Sequence, residues 1–338
     1  MINFDYARAT DVADAVRRIA ADPKAKFIAG GTNLIDLMKG DVERPSRLID
    51  ITRLPLKTVE ETTEGRIQIG ALVPNSDLAY HPLIEQRYPM LASAILAGAS
   101  AQLRNMASTG GNLLQRTRCC YFYDTATPCN KREPGSGCSA IAGINRMHAI
   151  LGASEACIAT HPSDMNVALA ALEAKVLVTG PGGERAIAFS DFHRLPGDTP
   201  DRDTNLEPDE IVTAVELPPR GFATNYTYLK IRDRLSYAFA LVSIAVGLEL
   251  EAGTISEARL ALGSVAHKPW RDRAVESALR GQVADQDTFA LAADLMLRDA
   301  RAHAHNAFKI ELARRGIVRA LTQAARGTPQ SQSDKRVA

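Results

Sequence analysis

Long apolar runs and an excess of one charge are both missing from this chain of 338 residues. No apolar stretch approaches the ~18 residues that a membrane-spanning helix needs, so the chain is not expected to cross a bilayer. The 40 basic residues nearly balance the 39 acidic ones. The chain therefore lacks the electrostatic attraction on which non-specific binding to nucleic acid or to an anionic membrane depends, and we expect neither as a partner.

Several standard enzyme signatures are also missing. No G-x-G-x-x-G or Walker A motif indicates a Rossmann or P-loop fold, and no G-x-S-x-G motif indicates a hydrolase nucleophile. The chain has instead two small-residue turns, Ala29-Gly30-Gly31-Thr32-Asn33 and Ser108-Thr109-Gly110-Gly111-Asn112. Glycine lets backbone N–H groups approach an anion closely, and Ser, Thr and Asn add neutral donors. Each turn could therefore hold a phosphate group, or be an ordinary tight turn.

Cysteine is absent everywhere except in one segment, which contains Cys119, Cys120, Cys129, Cys138 and Cys157. Disulfides would leave one of the five thiols free. Zinc sites usually draw ligands from close C-x₂₋₄-C pairs, which this segment lacks. Four thiolates from well-spaced loop positions can hold a [4Fe–4S] cluster. We therefore predict an iron–sulfur site, with a zinc-binding structural or interaction module without redox activity as the alternative.

Apolar periodicity predicts a chain of mixed strands and helices. Up to Pro218-Pro219, strands are predicted at 26–29, 47–51, 67–72, 175–179 and 210–217, and helices at 77–98 and 164–172. Beyond these prolines, strands are predicted at 224–232, 238–251 and 255–265, and helices at 271–280, 288–301 and 307–325. The pattern divides the chain into a domain at 1–220 with an insertion at about 115–158, a domain at 221–326, and a tail at 327–338 that we expect to be disordered.

In order and spacing, these features resemble the flavoprotein subunit of the xanthine dehydrogenase and carbon monoxide dehydrogenase family, the molybdenum hydroxylases. The resemblance rests on the two turns and on His161-Pro162-Ser163-Asp164, Glu210-Ile211-Val212 and Tyr228-Leu229-Lys230-Ile231-Arg232. The cysteine segment is similar, more narrowly, to the bacterial periplasmic aldehyde oxidoreductase branch, whose flavin subunit carries an extra [4Fe–4S] cluster. The implied fold is α+β: a two-lobed FAD-binding domain of the vanillyl-alcohol-oxidase (PCMH) type, followed by a small C-terminal domain of a sheet and helices.

The resemblance also implies roles for individual residues, none of them catalytic. The stretch from Lys26 to Leu34 and the second turn would hold the FAD diphosphate, and Asp164 the ribityl or ribose region. Ile211 and Lys230 would line the isoalloxazine and adenine-side pocket, where a lysine could stabilise negative charge on reduced flavin. The implied FAD-binding residues are Lys26, Phe27, Ile28, Ala29, Gly30, Gly31, Thr32, Asn33, Leu34, Ser108, Thr109, Gly111, Asn112, Asp164, Ile211 and Lys230. The implied cluster ligands are Cys119, Cys129, Cys138 and Cys157, with Cys120 as a bystander.

Two partner subunits are implied as well: a large one with a molybdenum–pterin cofactor and a small one with two [2Fe–2S] clusters. Electrons would pass from aldehyde at molybdenum through those clusters to FAD on this chain, and then to an external acceptor. The chain would thus act as an oxidoreductase subunit of a heterotrimer; a stand-alone flavin oxidase is a further alternative. Because the N-terminus lacks a signal peptide, we expect a cytoplasmic protein, or a periplasmic one if a partner with a twin-arginine signal carries it.

Overall fold

The computed structural model describes residues 1–332, and three sheets organise them. The first sheet is parallel, with the strand order β1-β3-β2. Its strands are β1 (Asp5–Arg8), β2 (Lys26–Ile28) and β3 (Arg47–Asp50), and its connections contain α1 (Val12–Ala20) and α2 (Leu34–Lys39). Parallel neighbours need such crossover connections because a tight turn can only join antiparallel strands.

The second sheet is antiparallel throughout and has the order β4-β5-β8-β6-β7. Its strands are β4 (Val59–Glu61), β5 (Ile67–Gly70), β6 (Lys175–Gly180), β7 (Gly183–Ala188) and β8 (Ile211–Leu217). The helices between them are α3 (Asn75–Ala79), α4 (Pro82–Arg87), α5 (Pro89–Ala97), α6 (Ala101–Met106), α7 (Thr109–Leu113), α8 (Cys120–Tyr123), α9 (Ser139–Ala142), α10 (Asp164–Ala171) and α11 (Phe189–Phe192). Every residue of α10 is buried, and this helix contacts α5 and strands of the third sheet.

The third sheet is also antiparallel, in the order β12-β11-β10-β9. It consists of β9 (Tyr226–Ile231), β10 (Val242–Glu251), β11 (Thr254–Gly263) and β12 (Trp270–Arg271), and is followed by α12 (Arg273–Leu279), α13 (Gln286–Met296) and α14 (Phe308–Ala325). The long helix α14 packs on β9 and β10. Gly316 makes this contact close, since a Cβ there would lie 2.9 Å from Ile244 Cδ1.

The predicted α+β fold is confirmed, and most differences concern where elements begin and end. The strand predicted at 238–251 begins only at Val242. The helical region predicted at 77–98 is three helices, because Pro82 and Pro89 each start a new one. The second small-residue turn is itself mostly helix α7, with Ser108 as its N-cap. The insertion at 115–158 is mostly loop around the short helices α8 and α9.

The predicted disordered tail falls partly within the described residues. There, the backbone N–H of Gln330 donates to Thr227 Oγ1 at 3.0 Å, and Gln332 Nε2 donates to the carbonyl oxygen of Tyr228 at 3.2 Å. The remainder of the tail, 333–338, lies outside the described residues. None of the helices within residues 1–332 combines the length and the apolar character that a bilayer crossing requires.

Candidate cofactor-binding site

The two small-residue turns lie side by side, although some 75 positions separate them in the chain. A Cβ atom on Gly30 would lie 1.7 Å from the carbonyl oxygen of Met106, just before the second turn. Only glycine permits so close an approach of two backbones. Gly31 has a φ of +71°, in the left-handed region that L side chains rarely adopt. The geometry of the backbone therefore requires both glycines.

Hydrogen bonds to residues near the end of β5 fix the second turn. The backbone N–H groups of Thr109 and Gly110 donate to the carbonyl oxygens of Val73 at 2.9 Å and Ala71 at 2.8 Å. Thr109 Oγ1 also donates to the Val73 carbonyl, at 3.0 Å. Ser108 Oγ accepts from the Gly111 N–H at 3.2 Å. The side chain of Thr109 is therefore used inside the fold.

Two cavities adjoin these turns. The first, which we call the turn cavity, has a volume of about 420 Å³ and is lined by the whole stretch from Lys26 to Leu34 and by residues of the second turn. The second, the domain cavity, has a volume of about 870 Å³ and is lined by both turns and by residues of β9 and the loop after it. Thr32, Asn33 and Gly111 border both cavities. Together they offer room for an elongated ligand larger than a typical drug-sized molecule.

The structure divides the predicted FAD-binding residues between the two cavities. Ser108 and Ile211 line the turn cavity, whereas Asn112, Asp164 and Lys230 line the domain cavity. Ile211 and Lys230, which were expected around one pocket, thus line different cavities. Among the predicted FAD-binding residues, all of them described by the structure, Thr109 alone lies outside both cavities.

A buried ion pair forms one wall of the domain cavity. Lys230 Nζ donates to Asp164 Oδ2 at 2.8 Å, and their side chains are only 2% and 8% exposed. The phenol of Tyr228 donates to Asp164 Oδ1 at 2.7 Å, and burial and the nearby carboxylate raise its pKa well above its ordinary value. Lys230 Nζ also donates to the carbonyl oxygen of Ala97 at 3.0 Å. The pair thus joins β9, α10 and the end of α5 around the cavity.

Asn33 has one side-chain group without a partner, at the boundary of the two cavities. Its Oδ1 accepts from the backbone N–H of Arg116 at 2.9 Å. Its Nδ2 is buried and has no hydrogen-bond partner. A buried donor without an acceptor is costly and is usually satisfied by a ligand or water. Asn33 is therefore suited to donate a hydrogen bond to a bound molecule.

Several residues of the domain cavity were missed at the sequence level. Arg234, Tyr237 and Phe239 border it from the loop after β9, and Arg118 and Tyr123 border it from the insertion. Tyr237 and Phe239 are 60% and 44% exposed. Arg118 lies 5.2 Å from the centroid of the Phe239 ring and so connects the two segments. Loop residues have no periodic pattern, so the sequence offered no signal beyond two aromatic residues in a polar loop.

The four predicted cluster ligands border one small cavity, which we call the cysteine cavity. Its volume is about 10 Å³, and its lining includes Cys119, Cys129, Cys138 and Cys157. Cys129 and Cys138 are partners in an isolated antiparallel bridge. All five cysteines are free thiols, and Cys120 is exposed on the side of the domain cavity. The structure thus brings together the four predicted thiols and separates the fifth from them.

The thiols and a nearby imidazole are in a poorly solvated environment. Burial raises the pKa of Cys119 to about 12 and that of Cys157 to about 11. His148 Nε2 lies 3.1 Å from Cys119 Sγ, and burial lowers the His148 pKa to about 4. The Cys119 and Cys157 thiols are therefore neutral at pH 7 unless something positively charged binds them, as metal ions do.

The fit of this cavity to a metal group depends on the size of the group. Within residues 1–332, no group of three or more His, Cys, Asp or Glu side chains is placed to hold a single metal ion. A cubane cluster is larger than one ion, so its four thiolates lie farther apart. The four thiols that border the cysteine cavity therefore fit an iron–sulfur cluster in chemistry and number.

Comparison with known proteins adds two family matches. The family described as FAD binding domain in molybdopterin dehydrogenase matches residues 2–220. The family described as CO dehydrogenase flavoprotein C-terminal domain matches residues 226–324. The two matches meet between β8 and β9, where the second sheet gives way to the third.

Individual relatives match over almost their whole length. The aldehyde oxidoreductase FAD-binding subunit PaoB of Escherichia coli is 50% identical over 323 residues, which cover 95% of this chain and 98% of the relative. The glyceraldehyde dehydrogenase medium chain of Sulfolobus acidocaldarius is 27% identical, over 84% of this chain and 83% of the relative. Among solved structures, the carbon monoxide dehydrogenase from Hydrogenophaga pseudoflava has a TM-score of 0.76 at 26% identity and covers 97% of this chain and 99% of that chain.

Proposed function

Because the chain belongs to the family of FAD-binding medium subunits of molybdenum hydroxylases, we propose that it is the electron-transferring flavin subunit of an aldehyde oxidoreductase. In this proposal, FAD binds along the turn and domain cavities, and Cys119, Cys129, Cys138 and Cys157 hold a [4Fe–4S] cluster. The partners are a large molybdenum–pterin subunit and a small [2Fe–2S] subunit. Aldehyde is proposed as the substrate because the relative with 50% identity is named for it.

The observation that carries the FAD part is the pair of adjoining cavities around the two glycine turns. Thr32, Asn33 and Gly111 border both of its cavities, and Asn33 Nδ2 is a buried donor without a partner. Small residues are suited to a diphosphate because they let it approach the backbone closely and repel no part of it. When bound, FAD would supply the redox chemistry by which this chain takes electrons from the [2Fe–2S] subunit and gives them to an external acceptor.

The residues of this chain would position the cofactor at both ends. Ile211 and the stretch from Lys26 to Leu34 would hold the part in the turn cavity. Asp164 and Lys230 would bound the part in the domain cavity. Because Lys230 already pairs with Asp164, a negative charge on the cofactor would compete with that carboxylate for the same ammonium group. The lysine would therefore stabilise such a charge only in part.

The cluster part is supported by the gathering of four thiols and the separation of the fifth. Those four border one cavity, while the exposed Cys120 faces the domain cavity. The zinc alternative differs in its prediction of a colourless protein that contains zinc. A stand-alone flavin oxidase differs in its prediction that the isolated chain would turn over aldehyde.

The first experiment is an anaerobic visible spectrum of the purified chain, combined with iron, sulfide and released-flavin analysis. We expect one FAD with about four iron and four sulfide per chain. A yellow, iron-free protein would overturn the cluster but keep the flavin. A colourless protein that contains zinc would overturn both, and aldehyde turnover by the chain alone would overturn the electron-transfer role.

A further inference from the structure

A row of buried ionic contacts begins at the cysteine cavity. Lys131 borders that cavity, and its side chain is only 1% exposed. Its Nζ donates to Asp203 Oδ1 at 2.5 Å and to the carbonyl oxygen of Pro200 at 2.6 Å. Asp203 in turn borders the turn cavity. One ion pair therefore joins the walls of two cavities that are proposed to hold different cofactors.

Arg116 continues this row to Asn33. Its Nε donates to Asp203 Oδ2 at 2.8 Å, so the carboxylate is held between two cations. Another nitrogen of the same guanidinium donates to Glu43 Oε1 at 2.8 Å. The backbone N–H of Arg116 donates to Asn33 Oδ1 at 2.9 Å. This bond orients the amide of Asn33, so that its unpartnered Nδ2 lies at the boundary of the turn and domain cavities.

A second contact ties Arg116 to the cysteine segment. Its guanidinium lies over the ring of Phe122, 4.9 Å from the centroid. Phe122 is buried in a small apolar cluster with Leu37 and Cys129, and it also borders the cysteine cavity. Any movement of the thiols must displace residues of this lining, because buried side chains leave little free space. Phe122 holds the Arg116 guanidinium against this lining, while the ionic contacts of Lys131 and Asp203 would carry such a movement to Arg116.

Because Lys131, Asp203 and Arg116 are charged and buried together, a change at one of them affects the other two. Lys131 and Arg116 hold the pKa of Asp203 far below its usual range. Breaking a buried pair by removing one partner is strongly destabilising, since it leaves an uncompensated charge. A shift of Lys131 would therefore draw Asp203 and Arg116 with it, and the backbone of Arg116 would carry the shift to Asn33.

We propose that Asp203 is a positioning residue that couples the occupancy of the cysteine cavity to the affinity for FAD. With the cavity occupied, Lys131 holds Asp203, Asp203 holds Arg116, and Arg116 orients Asn33 toward the cofactor. This inference rests on the proposed function, because it requires both cofactors. Couplings between sites in proteins are typically on the order of 5- to 150-fold in affinity, and they are reciprocal.

The test measures the equilibrium affinity for FAD of the full chain, iron-loaded and iron-depleted, in three proteins. In the wild type, we expect iron depletion to weaken FAD binding by about 5-fold or more. In Asp203→Asn, FAD binding should be weak in both states. The ratio of the FAD affinity of the iron-loaded protein to that of the iron-depleted protein should be near one. Asp201→Asn is the matched control, because exposed Asp201 gives Arg116 only its backbone carbonyl, at 3.3 Å. This control should keep the wild-type ratio.

Two further measurements cover the case in which Asp203→Asn does not fold. Lys131→Met removes only the cysteine-cavity end of the row, so iron depletion should no longer change its affinity for FAD. By reciprocity, saturating FAD should protect the wild-type iron against a chelator at equilibrium by the same factor.

The outcomes separate the coupling from the proposed function. The coupling would be overturned if iron depletion left the FAD affinity of the wild type unchanged. It would also be overturned if Asp203→Asn or Lys131→Met kept the wild-type ratio of FAD affinities. Neither outcome would contradict the binding of FAD or of the cluster. A wild-type chain that never contains iron would overturn the cluster and the coupling together.

Discussion

The turn cavity and the cysteine cavity are built in opposite ways. Backbone contacts fix the walls of the turn cavity, at Gly30 against Met106 and at Gly110 against Ala71, and its volume is about 420 Å³. Residues on loops form most of the cysteine cavity, whose volume is about 10 Å³. Walls fixed by backbone hydrogen bonds have one shape. Side chains on loops can repack around what they hold, because protein interiors pack densely.

The difference indicates how much each site depends on its cofactor. The turn cavity should bind a ligand without large rearrangement, whereas the cysteine cavity should reach its final shape only when metal binds, since metal binding is commonly coupled to folding. Three substitutions sharpen this comparison, beginning with the largest expected effect.

Cys129→Ser should remove the iron almost completely. Loss of one of four thiolates usually destabilises a cubane cluster, so we expect about four iron per chain to be lost. FAD should remain bound at saturating concentration, although more weakly. Iron and flavin analysis of the purified variant measures both. Cys120→Ser, at the exposed cysteine outside the cavity, is the control and should keep its iron; equal iron in the two variants would contradict the ligand assignment.

Asp164→Asn should destabilise the wall of the domain cavity. The substitution leaves the ammonium group of Lys230 buried without its carboxylate, and breaking a buried pair costs about 3–5 kcal/mol. Urea denaturation followed by circular dichroism gives the change in the free energy of unfolding. Asp233→Asn is the control, because its pair with Arg146 is exposed and should be worth at most about 1 kcal/mol. Similar losses in the free energy of unfolding of both variants would show that the buried pair stabilises the protein no more than the exposed pair does.

Gly30→Ala should have the smallest of the three effects, and it tests the backbone wall of the turn cavity. The added methyl group would meet the Met106 carbonyl, and such overpacking typically costs about 1–3 kcal/mol. We expect a lower melting temperature together with lower FAD content. Gly182→Ala adds the same group where no atom lies within 4 Å. If the two variants retained FAD equally, the close approach of the two turns would not matter for binding.

What could be predicted from the sequence depended on how local the determining contacts are. The strand, turn and helix from Lys26 to Lys39 follow from a short apolar run, two glycines and helical spacing, all within 14 residues. The family resemblance, carried by such local motifs, is confirmed by the two family matches. Helix α7 was expected to be a turn, because its five residues are too few for a recognisable periodicity and depend on bonds to Val73 and Ala71.

Long-range polar contacts left no signal in the sequence. Arg116 and Asp203 are 87 positions apart, and nothing in either neighbourhood indicates a partner. Lys131, which lies two positions after Cys129, is likewise paired with the distant Asp203. The pairing of Lys230 with Asp164, 66 positions away, was missed for the same reason. Such contacts become visible only when the fold has brought the segments together.

The bonds from Thr109 and Gly110 to the end of β5 also have a consequence for amide hydrogen exchange. These two N–H groups find their acceptors within the protein itself, so their exchange should require a sub-global opening and should be slow with or without FAD. A turn whose backbone is ordered before a ligand binds loses little conformational entropy on binding. The affinity of the second turn for FAD would therefore depend on its contacts with FAD, because ordering its backbone would cost little free energy.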